Sequence, residues 1–207
     1  MGVLHDDLVA VGEVIAVSTA HFEAQSYELN QSPSFGSLVL TRGPGGSGHF
    51  GLCAAAETSG IEPGRMPIAW GAADDDDGDI YDRQPQLRHV LRTTFRCVLV
   101  GFLGPQGAPI QGMPAHPPRI HERVWLAGEA DIRDFFASQH YLRFLLRADL
   151  GHVEDLIAAT IGHAYRAHGG DRAYLVGAGR AVARLLAGDH ERLSAVLELL
   201  ASEEERG

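Results

Sequence analysis

Gly43 and Gly48 stand with four residues between them, the G-x-x-x-x-G spacing of a loop that cradles phosphates. That chemistry needs a lysine for the terminal phosphates and a Ser or Thr hydroxyl for magnesium, and the next two positions are His49 and Phe50. The segment that follows reads as strand, so no helix N-terminus faces an anion. Ser47 approaches a G-x-S-x-G nucleophile elbow, but His49 occupies the last glycine position. The glycines therefore read as a hairpin tip.

Other motifs fail on similar grounds. Gly177-Ala-Gly179 follows Ala173–Val176, a strand candidate, and precedes a helical pattern, as a dinucleotide fingerprint does. Val182 stands where that fingerprint wants Gly or Ala, and no βαβ unit can be traced, so close helix packing is favoured. The acidic run Asp74–Asp79 lacks the first and last ligands of an EF-hand loop, since Ala73 and Gln84 hold those places. It reads as a solvated loop. His116 and His121 are five apart, as are His163 and His168, and i,i+5 residues share a helix face poorly. Cys53 and Cys97 lie in apolar strand contexts and read as core. No residue is assigned a catalytic, cofactor-binding or metal-ligating role, and no cofactor is expected.

All 17 basic residues are Arg, which removes every lysine-dependent mechanism, Schiff bases and P-loop chemistry included. Residues 1–82 hold two Arg, Arg42 and Arg65, against 13 acids, and the net charge is −10. An N-terminal part this acidic repels a phosphate backbone, so direct nucleic-acid binding is disfavoured. No apolar run reaches membrane-spanning length, and the acidic start does not read as a signal peptide. A cytoplasmic protein with reduced thiols is expected.

The elements that must position these residues divide the chain. Strand signals lie at Val11–Thr19, Phe22–Leu29, Leu38–Thr41, Phe50–Ala55, Pro67–Trp70, Leu87–Leu103 and Arg123–Ala127, separated by Gly/Pro-rich turns, with 104–118 a loop. Helical periodicity starts near Asp131. One stripe runs from Val153 through Tyr165, a second from Leu175 to Leu186, and a third carries Leu193, Val196, Leu197 and Leu200. The third face is expected to pack on the first, so that an acid at Leu197 is buried. The resulting reading is α+β: a small antiparallel β-barrel over 8–128, then a helical bundle over 131–203.

Within 8–128 the order of features is suggestive. It comprises an opening Gly12-Glu-Val-Ile15 strand, a Phe22-led strand, Gly36-Ser-Leu-Val-Leu40, a Gly51-containing fifth-position strand, Tyr81 to Phe95, Val98-Leu-Val-Gly101, and His116-Pro-Pro-Arg-Ile-His121 before Val124. This resembles the HAS-barrel family, the barrel shared by HerA-type DNA-translocating ATPases and rotary ATP-synthase subunits. The resemblance implies a barrel that builds a multimeric ring or meets a partner protein. In the translocases a P-loop ATPase domain follows the barrel. Here a helical stretch without a Walker motif follows, so the expected role is a non-catalytic assembly or docking module. An ATPase is the partner the resemblance implies, and homo-oligomerisation is a second mode of assembly. The interaction candidates are Tyr81, Arg83, His89, Arg92, Leu193 and Leu197. The competing reading is a small ligand binder or enzyme using Tyr81, Asp82, Arg83, His89 and Arg92.

Overall fold

The structure, a computed structural model, describes residues 8–62, 67 and 80–206. Strands β1 (Ala10–Val17), β2 (His21–Ser26), β3 (Leu38–Arg42), β4 (Gly48–Gly60), β5 (Leu91–Leu103) and β7 (Arg123–Leu126) pair in the order β2-β1-β7-β3-β4-β5. A further β2–β5 pairing closes the ring, and all pairs are antiparallel. The short β6 (Pro109–Ile110) hangs on β5. This is a closed six-stranded barrel, which buries the backbone edges an open sheet leaves bare. The β3–β4 tip turns through Pro44–Gly46, where Gly45 and Gly46 take φ of +72° and +80°, a region that glycine enters without strain.

Barrel strands point alternate side chains inward and outward. Inward go Val14, Phe22, Ala24, Val39, Cys53, Phe95, Cys97, Leu99 and Val124, all buried in one cluster. Gly51 is what admits the Phe22 ring: a Cβ there would stand 2.7 Å from Phe22 Cε1. Gly51 lies in the fourth strand of the chain, not the fifth.

The outward residues of β3, β4 and β5 are just as apolar. Leu38, Leu40, Phe50, Leu52, Ala54, Val98 and Val100 share a second cluster with the helices. Helices α3 (Glu129–Phe135), α4 (Leu142–Leu145) and α5 (Val153–Ala167) supply Phe135, Phe136, Tyr141, Leu142, Leu145, Leu156, Ile157 and Ile161. The Phe50 and Phe135 rings meet at 4.7 Å, and Phe136 meets Tyr141 edge-on at 4.9 Å. Polar bonds fix the register of the two layers. His152 Nε2 is 3.0 Å from the Ala54 carbonyl, and His163 Nε2 is 3.0 Å from that of Phe35. The Gln111 side chain donates to the Phe135 and Ser138 carbonyls and accepts from the Tyr141 N–H, which pins the α3–α4 link.

Helices α6 (Arg172–Leu185) and α7 (His190–Arg206) complete the helical layer. Asp171 caps α6, accepting from the Ala173 N–H at 2.8 Å. Ala173–Val176 is therefore helix, and Gly177 and Gly179 lie inside α6. The Leu87–Leu103 reading divides: a helical turn, α2 (Leu87–Val90), precedes β5, and α1 (Ile80–Arg83) lies before it. The Pro67–Trp70 strand and the Asp74–Asp79 run fall outside the described residues, Pro67 excepted.

Helix α7 packs on α5, as the stripes require, but its buried positions are Val196 and Leu200. Leu193 is half-buried and Leu197 is 44% exposed, so the expectation that a charge at 197 is buried is corrected. The helix turns 100° per residue, and the seam with α5 runs along 196 and 200, leaving 197 on the flank. Val196→Asp is therefore expected to lower unfolding free energy by about 3 kcal/mol or more, through an unpaired buried charge. Leu197→Asp should stay within about 0.5 kcal/mol of wild type. Urea unfolding of the two variants measures the difference.

Candidate functional site

The residues singled out between 81 and 92 lie where the β4–β5 ribbon ends. Pairing of β5 with β2 stops at Gln25↔Thr94, and that of β4 with β3 at Leu38↔Leu52. The two long strands continue together to Gly60↔Leu91. Ile61 donates to the Val90 carbonyl at 2.9 Å, and both side chains are exposed. Tyr81 is half-buried with the Arg88 guanidinium 5.7 Å from its ring, and Arg88 also reaches Asp82 at 3.7 Å. Arg83 and His89 are exposed. Arg92 is half-buried, and its Nε is buried without a hydrogen-bond acceptor. Neither of the two cavities described below includes any of these residues. Leu193 and Leu197 lie on α7 in the helical layer, outside this ribbon.

Among the described residues, no strand pairs with the outer edge of β4 along this ribbon. Gly36 and Ser37 bond to Cys53, and His152 bonds to the Ala54 carbonyl. Past that point Ala55, Ala56, Glu57 and Thr58 are exposed. The alternation of the ladder says which N–H groups face out. Leu99 donates to the carbonyl of Ala20, the residue before β2, so odd-numbered β5 residues turn their backbone groups to β2 and even-numbered ones to β4. Ala55, Glu57 and Ser59 oppose Arg96, Thr94 and Arg92, and Ala56 and Thr58 turn their backbone groups outward.

A second assembly lies at the β3–β4 tip, and sequence reasoning missed it. Thr41 and His49 are cross-strand partners and Glu122 approaches from the loop before β7; all three are buried. His49 Nε2 donates to the His116 carbonyl at 3.0 Å, which leaves Nδ1 to accept from the Thr41 hydroxyl at 3.1 Å. Glu122 Oε2 is 3.9 Å from His49 Nδ1 and has no hydrogen-bond partner. Beside this polar plug, on the barrel's outer face, Arg42, Arg119, His121, Glu122, Arg123 and Trp125 line a cavity of about 420 Å³. The Arg42 guanidinium lies over the Trp125 ring at 5.6 Å. His121 is paired with Glu13 at 2.5 Å. A second cavity, of about 340 Å³, lies between α4 and α6 and includes Gln139, His140, Arg143 and Arg184.

The remaining motif residues have structural partners. His163 and His168 bond the carbonyls of Phe35 and Ala164, and His168 stacks on Tyr174 at 4.3 Å. Among the described residues no group of three or more His, Cys, Asp or Glu is placed to hold a metal. Cys53 and Cys97 face each other across β4–β5 in the barrel interior, both free. Burial, then the neighbouring Cys53 thiol, pushes the Cys97 thiol well up from its ordinary range. No described helix is long and apolar enough to cross a membrane. No family model matches the chain, and neither does any curated protein.

Burial lowers the pKa of His49, against the opposing pull of the His116 carbonyl and Glu122. Burial lowers that of His163 as well. A histidine that titrates lower when folded binds fewer protons than the unfolded chain below about pH 6.5. Its stabilisation is complete above that pH and is lost as pH falls through the folded value. The urea midpoint is expected to hold from pH 8 to about 7 and to decline from 6.5 to 5.5. His49→Gln should flatten part of that decline, read as the slope of midpoint against pH.

Proposed function

We propose that the chain is a non-catalytic assembly module that docks a partner protein through the open edge of β4. The exposed backbone from Ala55 to Thr58 carries this reading. Unpaired strand edges recruit extended segments of other chains, and main-chain hydrogen bonds supply the affinity. The exposed Ile61–Val90 pair at the end of the same ribbon gives a partner strand an apolar anchor. His89, exposed, precedes Val90 in the chain. The closed barrel supports the same reading, because its interior is filled by side chains such as Phe22, Phe95 and Leu99.

The resemblance to HAS barrels names the partner class: a ring-forming ATPase, met in the cytoplasm, with self-assembly through the same edge as the other mode. Tyr81, Arg83, His89 and Arg92 lie beside the edge and tune its specificity, while Leu193 and Leu197 belong to a separate, helical face. No chemistry is assigned to the chain.

Proline at 56 removes an outward N–H while keeping the inward ladder bonds. Ala56→Pro is expected to leave the thermal midpoint within about 3 °C of wild type and to abolish partner capture. The measurement is affinity capture from the native host followed by identification of the bound proteins, with size-exclusion of the pure chain alongside. Equal capture by wild type and Ala56→Pro overturns the edge as the docking surface. Capture that never includes an ATPase overturns the partner class.

A further inference from the structure

We propose that the cleft beside the β3–β4 tip is a binding site for the phosphoryl group of a small phosphorylated compound, gripped by Arg42, Arg119 and Arg123 against the Trp125 ring. This does not rest on the docking reading, since the cleft and the β4 edge share no residue.

The charge distribution is the first ground. Acids outnumber arginines 27 to 17 in this chain, and several arginines are paired, as in Arg96–Glu23, Arg133–Glu129 and Arg166–Glu203. Arg42, Arg119 and Arg123 make no ion pair among the described residues, yet they converge on one cavity. Arg42 is one of only two arginines in the first 82 residues.

Strand register is the second ground. Thr41 pairs with Val124, so Arg42 and Arg123 are the next residues along the two strands; on its other side Arg123 is paired in register with Glu13, whose carboxylate is taken by His121. Like charges directly opposed across strands destabilise a sheet. A bound dianion between the two guanidiniums converts that repulsion into attraction, through the forked geometry that Arg presents to oxyanions. Arg42 is already oriented for this by its stack on Trp125, and two of its guanidinium nitrogens, Nε and Nη2, are buried without acceptors.

The lining carboxylate does not oppose the ligand. Glu122 is turned toward the hairpin tip: a Cβ on Gly43 would lie 2.5 Å from its Oε1, and its Oε2 faces His49. Glu13 is engaged by His121. Three guanidiniums suit a dianionic phosphate better than a single carboxylate. About 420 Å³ holds a phosphomonoester with a modest organic body, and the half-buried Trp125 and exposed Ile120 offer that body apolar contact. A long polyanion is disfavoured. It spans many Debye lengths of about 8 Å and meets the chain's −10 charge, whereas a small anion feels the local field.

The chain has two tryptophans, so Trp70→Phe leaves Trp125 as the fluorescent reporter. Inorganic phosphate and phenyl phosphate are titrated into that protein, with acetate and an acidic peptide as comparators. Saturable quenching by phosphate, tighter for phenyl phosphate and weakened by salt, is the expected result. Arg119 and Arg123 are exposed, so the double Arg119→Ala/Arg123→Ala variant keeps its thermal midpoint while losing roughly tenfold or more in affinity. Arg143→Ala/Arg184→Ala, which alters the second cavity, leaves binding unchanged. Phosphates that fail to saturate overturn the proposal, as does affinity that survives the Arg119/Arg123 variant with its fold intact. Tighter binding of the acidic peptide than of phenyl phosphate also overturns it and assigns the cleft to a protein partner. Ala56→Pro should not alter phosphate binding, so this result and the docking result are read separately.

Discussion

The fold hangs on one wall of sheet that is buried on both sides. Residues 38–41, 48–54 and 97–101 have neither face open to water. Inward, this wall gives the barrel Val39, Leu99 and the two cysteines, which pack with Phe22 and Phe95. Outward, it offers Leu38, Leu40, Phe50, Leu52, Val98 and Val100 to the helices. A single barrel needs only an apolar interior, so a second apolar face on the same strands obliges another layer to cover it. The Phe50–Phe135 contact is the centre of that second interface. Gly101 permits it: a Cβ there would stand 2.7 Å from the Phe135 ring.

The covered wall decides what is left for function. Helices occupy the outer face of β3, β4 and β5 up to Ala54, where the His152 bond to its carbonyl marks the limit. Beyond it β4 runs on with a bare edge. At the opposite end of β4 the tip carries the polar plug of Thr41, His49 and Glu122, and the arginine cleft lies beside it. The exposed stretch Ala55–Thr58 and the arginine-lined cleft, which is built by β3, the hairpin tip and β7, thus lie on different elements with the doubly buried wall between them.

Much of the architecture was legible in residue order. Strand signals at Val11, Leu38 and Arg123 and helical stripes from Val153 onward reflect periods of 2 and 3.6, which local sterics impose before any tertiary contact forms. The hairpin reading of Gly43–Gly48 followed from the strand pattern on either side. Less legible was Leu87–Leu103. Its first four residues form a helical turn instead of strand, because the paired ladder with β4 ends at Gly60↔Leu91. Spacing alone puts Leu197 on the buried face, but α7 is covered along 196 and 200, and which flank of a helical stripe is covered depends on the helix packed against it.

By itself the sequence determined the α+β division, the absence of lysine chemistry and the acidic balance, since these follow from composition and local periodicity. Only the tertiary structure decided which surfaces remain free. Arg42 lies 77 or more positions from Arg119, Arg123 and Trp125, and it is the β3–β7 pairing that makes them neighbours. Residue type and spacing carry no record of that pairing. It arises because closing the barrel requires the last strand to enter between β1 and β3. The bare edge of β4 has the same origin, since a strand's exposure is set by where its neighbours stop.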